Sequence, residues 1–295
     1  MIGRRRKGPR WANTASATGW GESTFAEIAW DKSRGAATRW GAFGVVVGVV
    51  AGVVAFAPAA WLAGAIASAT NQHLLLADAR GTVWSGSAVV VLTGGPGSRD
   101  ASALPGRLDW TVGLKGLALE LRARQACCIN GTASLLVRPG LGRVTVALAP
   151  SPGWVGQWPT AWLAGLGTPW NTMQMGGSIR LSSPGLSVET VQGRWRLAGS
   201  AELDLIDVSS RVSTLETLGS YRLSLAGDAR GSGASQITLS TQQGALQLSG
   251  NGTLGPSGVR FRGEARAAPG EEAPLANLLN IIGRRDGARS VISIG

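Results

Sequence analysis

Apolar and polar positions change rhythm once along this chain. Between Gly41 and Leu76 there is no Asp, Glu, Lys or Arg, and the run GAFGVVVGVVAGVVAFAPAAWLAGAIASA is apolar on every side. That predicts a helix long enough to cross a bilayer. Beyond it the period falls to two, in RLDWTVGLKGLALELRA from Arg107, TASLLVRPGLGRVTVALA from Thr132 and GSIRLSSPGLSVETVQGRWRLAGSAELDLIDVS from Gly177. Each run is broken by Gly, Pro or Ser turn signals, so nearly everything from residue 80 to 267 reads as antiparallel strand. Ile237 and Leu239, then Leu246 and Leu248, alternate with small polar residues, which gives the sheet one apolar and one wet face. The predicted fold is mainly β: a single N-terminal transmembrane helix followed by an antiparallel, Gly-rich β-sheet domain with two short helices.

Those two helices interrupt the strand pattern. The stretch from Ser151 to Gln174 holds four tryptophans, and its centre, Pro159 to Leu166, suits a short helix with Pro at its start. Later Pro274 opens a second, whose Leu275, Leu278, Leu279 and Ile282 share a face and which Gly283 stops. ARSVISIG closes the chain as a strand. In ARGTVWSGSAVVVL, from Ala79, Trp84 stands between Gly81 and Gly86 ahead of an apolar run. The stretch reads as a strand entering a sheet, with Trp84 covering the start of the core and Gly86 admitting a close neighbour. Trp110 and Trp195 are the other expected core tryptophans.

The apolar segment sets an expected topology. Trp40 and Trp61 bracket it 21 residues apart, about 31 Å along a helix, with an indole at each interface. Arg4 to Lys7, Arg10, Lys32, Arg34 and Arg39 precede it and place the N-terminus in the cytoplasm. The expected organisation is a basic cytoplasmic extension (1–40), an uncleaved signal anchor (41–62), a linker (63–78) and a periplasmic β-rich domain (79–295). Gly44, Gly48 and Gly52 recur every four residues and offer a smooth face on which a second copy could pair.

Charge narrows the partners. The net charge is +11, and of the 28 basic residues all but Lys7, Lys32 and Lys115 are arginine. Residues 1–40 carry eight basic and three acidic side chains, so the remaining 255 hold 20 and 14 without a stripe. That spread excludes a nucleic-acid surface.

Candidate chemistry is sparse. The single histidine, His73, has no Cys or carboxylate at ligand spacing around it, so no metal site is expected. GTVWSGS lacks the Gly-x-Ser-x-Gly frame of a nucleophile elbow. Glu202 and Asp204 share a strand face and Asp207 follows, but a solvated face is the simpler reading; Glu271 and Glu272 stand before the second helix. No phosphate-binding glycine loop occurs. The expectation is a non-enzyme without catalytic residues, cofactor or metal. Cys127 and Cys128 are adjacent, and their default reading is two buried small hydrophobes, with a vicinal disulfide as the alternative on the oxidising side of a membrane.

In order along the chain, APAAWLAGAI, LLLADARGTVWSGSAVVVL, LPGRLDW, WLAGLGTPWNTMQMGGSIRL, GRWRLAGSAELDL and LANLLNIIGRRDGARSVIS cover about residues 55 to 295. This series resembles type II secretion system protein N, the bitopic inner-membrane accessory of the general secretion pathway. The resemblance implies a non-catalytic inner-membrane component that scaffolds contacts during export of folded proteins. Its partners would be other secretion components and inner-membrane lipid. AsmA-like intermembrane lipid carriers are similar in having one span followed by Gly-x-Leu-x-Leu strands. That second resemblance implies an apolar groove, with Arg260, Arg262 and Arg266 near headgroup phosphates.

Overall fold

The computed structural model describes residues 40–191, 194–227, 234–255 and 258–295. The basic extension, all but Trp40, therefore lies outside the described residues. The chain divides into two units, Met1–Phe56 and Ala57–Gly295.

In the first unit residues 40–55 form helix α1. Its last backbone bond runs from Phe56 N to Gly52 O at 2.9 Å. The single helix expected over 41–62 is thus two. Pro58 has no N–H to continue the ladder; it sits in extended backbone (φ −68°, ψ 147°) and caps a second helix, α2 (Ala59–Ala69). Among the described residues no helix is long and apolar enough to cross a membrane. Within the stretch expected as a linker, 63–78, α2 fills the first half and a strand begins at Leu74.

The second unit is one antiparallel sheet. Its strands are β1 (Leu74–Gly81), β2 (Ser85–Thr93), β3 (Ala101–Ala103), β4 (Leu108–Lys115), β5 (Ala118–Arg124), β6 (Ala133–Gly140), β7 (Arg143–Leu148) and β8 (Trp154–Pro159). They continue as β9 (Met175–Val191), β10 (Arg194–Ser210), β11 (Gly219–Ala226), β12 (Ser235–Gln243), β13 (Leu246–Gly255), β14 (Gly258–Ala267), β15 (Arg284–Asp286) and β16 (Arg289–Ile294). The ladder order is β1-β2-β4-β5-β6-β7-β9-β10-β11-β12-β13-β14-β16-β15, with β3 added to β2 and β8 to β9. Neighbours in sequence are mostly neighbours in space, as short Gly-rich turns dictate. Among the described residues the sheet stays open: β1 and β15 stand at its two ends with one laddered neighbour each.

The 17-residue strands β9 and β10 join the halves. One edge of β9 takes β7 against Leu186–Val191 and β8 against Ser178–Ser182. β10 bends where its register shifts between Leu205 and Val208, around Asp207 at φ 50°. Opposite the bend only glycine fits, since a Cβ on Gly177 would lie 2.5 Å from Ile206 O.

Two cores result. The first gathers Ala59, Leu76, Ala88, Val90, Leu104, Trp110 and Cys128 under α2. The second gathers Val208, Leu218, Tyr221, Leu246 and Ala265 around Leu275, Leu278 and Leu279 of a later helix. That helix, α4 (Glu272–Ile282), ends at Gly283 as the pattern predicts but begins two residues before Pro274, which falls in its first turn. Pro159 caps a 3-10 helix over Thr160–Leu166, and a further short helix, α3 (Trp170–Met173), follows it.

The stretch around Trp84 is a turn, not a continuous strand. β1 ends at Gly81 and β2 starts at Ser85. Thr82 donates its N–H to Ser85 O at 2.8 Å and closes the turn.

Candidate functional site

In the second core a cavity of about 650 Å³ lies between α4 and the sheet. α4 presents Leu278 and Ile282 to it, β10 presents Leu205, β12 Leu239, β13 Leu248 and β16 Ile292. Strands five ladder steps apart, β10 and β16, therefore share one cavity, because the sheet curls over the helix. Ser290 Oγ donates to Leu279 O at 2.5 Å and ties α4 to β16. At the open side stand Ile281 and Ile294, about half exposed, with the exposed Arg284 beside them.

Polar groups in the lining are few. Ser210 Oγ is satisfied, donating to Met173 O at 2.7 Å. Tyr221 is 3% exposed and its hydroxyl has no hydrogen-bond partner among the described residues. Burial pushes its pKa well above the usual tyrosine value, since the phenolate would lose its hydration there.

The expected headgroup arginines do not serve this cavity. On β14 the buried Ala265 faces α4, so Arg260, Arg262 and Arg266 alternate onto the opposite face. Arg266 pairs with Glu264 at 2.7 Å.

The carboxylates are likewise accounted for. Arg222 holds Asp204 through Nε–Oδ1 at 2.7 Å and Glu202 through Nη1–Oε2 at 3.4 Å. Asp207 sits in the β10 bend, accepting from Ser220 Oγ at 3.5 Å. Glu272 Oε2 accepts from Gly270 N at 3.0 Å, and Glu271 precedes α4 as its cap residue. His73 donates through Nδ1 to Thr93 O at 3.2 Å. Among the described residues no three His, Cys, Asp or Glu side chains gather as a metal site would need.

The remaining residues singled out in the sequence are scattered. Trp40 begins the described part of α1, edge-on to Phe43 at 6.0 Å. Trp61 falls on α2 after the break and is 56% exposed. A Cβ on Gly44, Gly48 or Gly52 would meet nothing within 4 Å. Of the three core tryptophans, only Trp110 is buried in a cluster, where its Nε1 donates to Val83 O at 3.1 Å. Trp84 in its turn and Trp195 on β10 are half-buried and belong to neither cluster.

Cys127 and Cys128 lie in the turn after β5, not on a strand, and their sulfurs are joined at 2.06 Å. Cys128 is buried and Cys127 exposed. The turn removes the alternation that would have sent the two side chains to opposite faces.

Tyr221 and the place of the cavity escaped sequence reasoning, which held only the apolar groove that the second resemblance implies. The only signals were that this is the sole tyrosine and that it alternates with Leu223 on one strand.

The family described as "Type II secretion system (T2SS), protein N" matches residues 72–292. No curated protein and no solved structure matches the chain.

Proposed function

We propose, starting from the fact that the chain belongs to the type II secretion system protein N family, that it is a non-catalytic scaffold between inner-membrane and periplasmic parts of that machine. Membership ties the chain to type II secretion and to the other components of that system. In this reading the apolar N-terminal segment anchors it in the inner membrane with Trp40 at one interface. The valines of α1, 47% to 67% exposed within their unit, find lipid there. The face of Gly44, Gly48 and Gly52 lets a second copy approach. The body from Ala57 onward stands in the periplasm.

One observation carries the scaffolding role: the sheet is open and offers unspent contact surface. β1 leaves one edge without a ladder, the arrangement to which a partner strand adds. The β4–β5 and β6–β7 turns, on one rim of the sheet, bear Leu117 and Leu141 with essentially their whole side chains in solvent (97% and 103%). Large apolar groups at that exposure favour a docking surface.

The test is photocrosslinking in cells. The full chain carries p-benzoylphenylalanine at position 77, 117 or 141, in a strain whose own copy is deleted. The expected result is an adduct with another secretion component, and a secretion defect on deletion that the full chain repairs. Normal secretion in the deletion strain, or crosslinks only to unrelated envelope proteins, overturns the reading.

A further inference from the structure

The cavity under α4 is sized and lined for a ligand. Its volume of about 650 Å³ falls within the roughly 300–1,000 Å³ of known ligand pockets. Leu205, Leu239, Leu248, Leu278 and Ile292 make it apolar. The hydroxyls of its lining offer a ligand little: that of Tyr221 is closed off even from a water, Ser210 already donates to Met173 O, and Ser293 is exposed near the end of β16.

The chemistry of the walls selects the class of ligand. A polypeptide segment would bring one N–H and one C=O per residue. The lining offers those groups little, because the Tyr221 hydroxyl is closed off, Ser210 is committed to Met173 O and Ser293 lies at the exposed end of β16. Each unmatched backbone group would be buried at a penalty. An aliphatic chain brings no such groups. The cation of the lining, Arg284, is exposed and makes no ion pair or side-chain hydrogen bond among the described residues, which suits an acidic group left outside.

We propose that this cavity holds one acyl chain of an acidic lipid, whose acidic group stays outside beside Arg284. The lipid resides in the body; no carrier function is required of it, and the site stands whether or not the open edge docks a partner. A phospholipid and a free fatty acid share this chemistry.

The experiment uses the full chain in vesicles of phosphatidylethanolamine and phosphatidylglycerol. In one arm the phosphatidylglycerol carries a diazirine on its acyl chain; in the other the vesicles are doped with a diazirine fatty acid. After illumination, adducts are mapped by peptide mass spectrometry. The expected result is labelling of the peptides bearing Leu239, Leu248 or Ile292, and the productive arm identifies the lipid. Leu248→Trp, which fills the cavity, removes those adducts while labelling of residues 40–55 persists. Leu239→Trp does the same should the first variant fail to fold by circular dichroism. Wild-type labelling confined to residues before Ala57 overturns the proposal and leaves the scaffold reading standing.

Discussion

The ring of Trp110 occupies the space that a side chain at Gly86 would need: a Cβ there would lie 2.5 Å from Trp110 Cζ2 and 2.6 Å from Arg80 O. β2 can pair with β4 at this point, Gly86 opposite Trp110, only because residue 86 is glycine. Gly86→Ala is expected to destabilise the body by about 1–3 kcal/mol, the usual range for overpacking. Urea unfolding followed by tryptophan fluorescence measures it. An unchanged midpoint would show that the Trp110 ring has room to move.

Asp78 and Arg107 form the second such pair. Asp78 interrupts β1 at φ 49°, and Arg107 spans the irregularity, reaching Asp78 Oδ2 at 2.7 Å, Asp78 O at 2.6 Å and Ser87 Oγ at 3.0 Å. Hydrogen bonds from Arg107, then Arg80, hold the Asp78 carboxyl below the usual carboxylate range. The folded pKa is thus lower than the unfolded value near 3.9, so the stabilisation is present above about pH 4 and lost as pH falls through the folded pKa. Asp78→Asn should lower the melting temperature at neutral pH, and its gap from wild type should close in acid. A gap that does not depend on pH would mean the carboxylate charge contributes nothing.

Tyr221 gives a titration without background, because it is the chain's one tyrosine. Its pKa is raised by burial, so the neutral phenol favours the folded state. That stability is present below the unfolded value near 10 and lost as pH rises through the folded pKa. Phenolate absorbance is expected to stay flat through pH 10 and to rise only as the body unfolds in stronger base. Ordinary ionisation near 10 with the fold intact would place the hydroxyl in water.

The bond between Cys127 and Cys128 predicts a thiol count. A maleimide should add nothing to the denatured, unreduced chain and two groups after reduction, as read by intact mass. Two adducts without reductant would return the pair to plain thiols, and the buried Cys128 would then be a small core hydrophobe.

Much of the strand content was legible residue by residue. The alternation of Ile237 and Leu239 with Leu246 and Leu248 places all four on strands β12 and β13, because side chains on a strand switch faces every residue. The shared face of Leu275, Leu278 and Leu279 reads as the buried face of α4 for the matching helical reason. The break at Pro58 was harder to place. An apolar run looks continuous in hydropathy, whereas the backbone ladder ends where the N–H is missing. Trp84 and Trp195 look like core residues by composition, yet an indole is often only partly covered.

By itself, then, the amino-acid order determined which residues extend, which coil and which end each element, since those choices depend on neighbours a few positions apart. It also determined the family, through the ordered series of short motifs between residues 72 and 292. Only the tertiary structure decided that β10 and β16 face one cavity, that the Tyr221 hydroxyl is buried without a partner among the described residues, and that Arg260, Arg262 and Arg266 point away from the cavity. The physical reason is that curvature accumulates over many strands and through bulges such as the one at Asp207. No local pattern records the sum of those bends, and it is the sum that brings distant strands together.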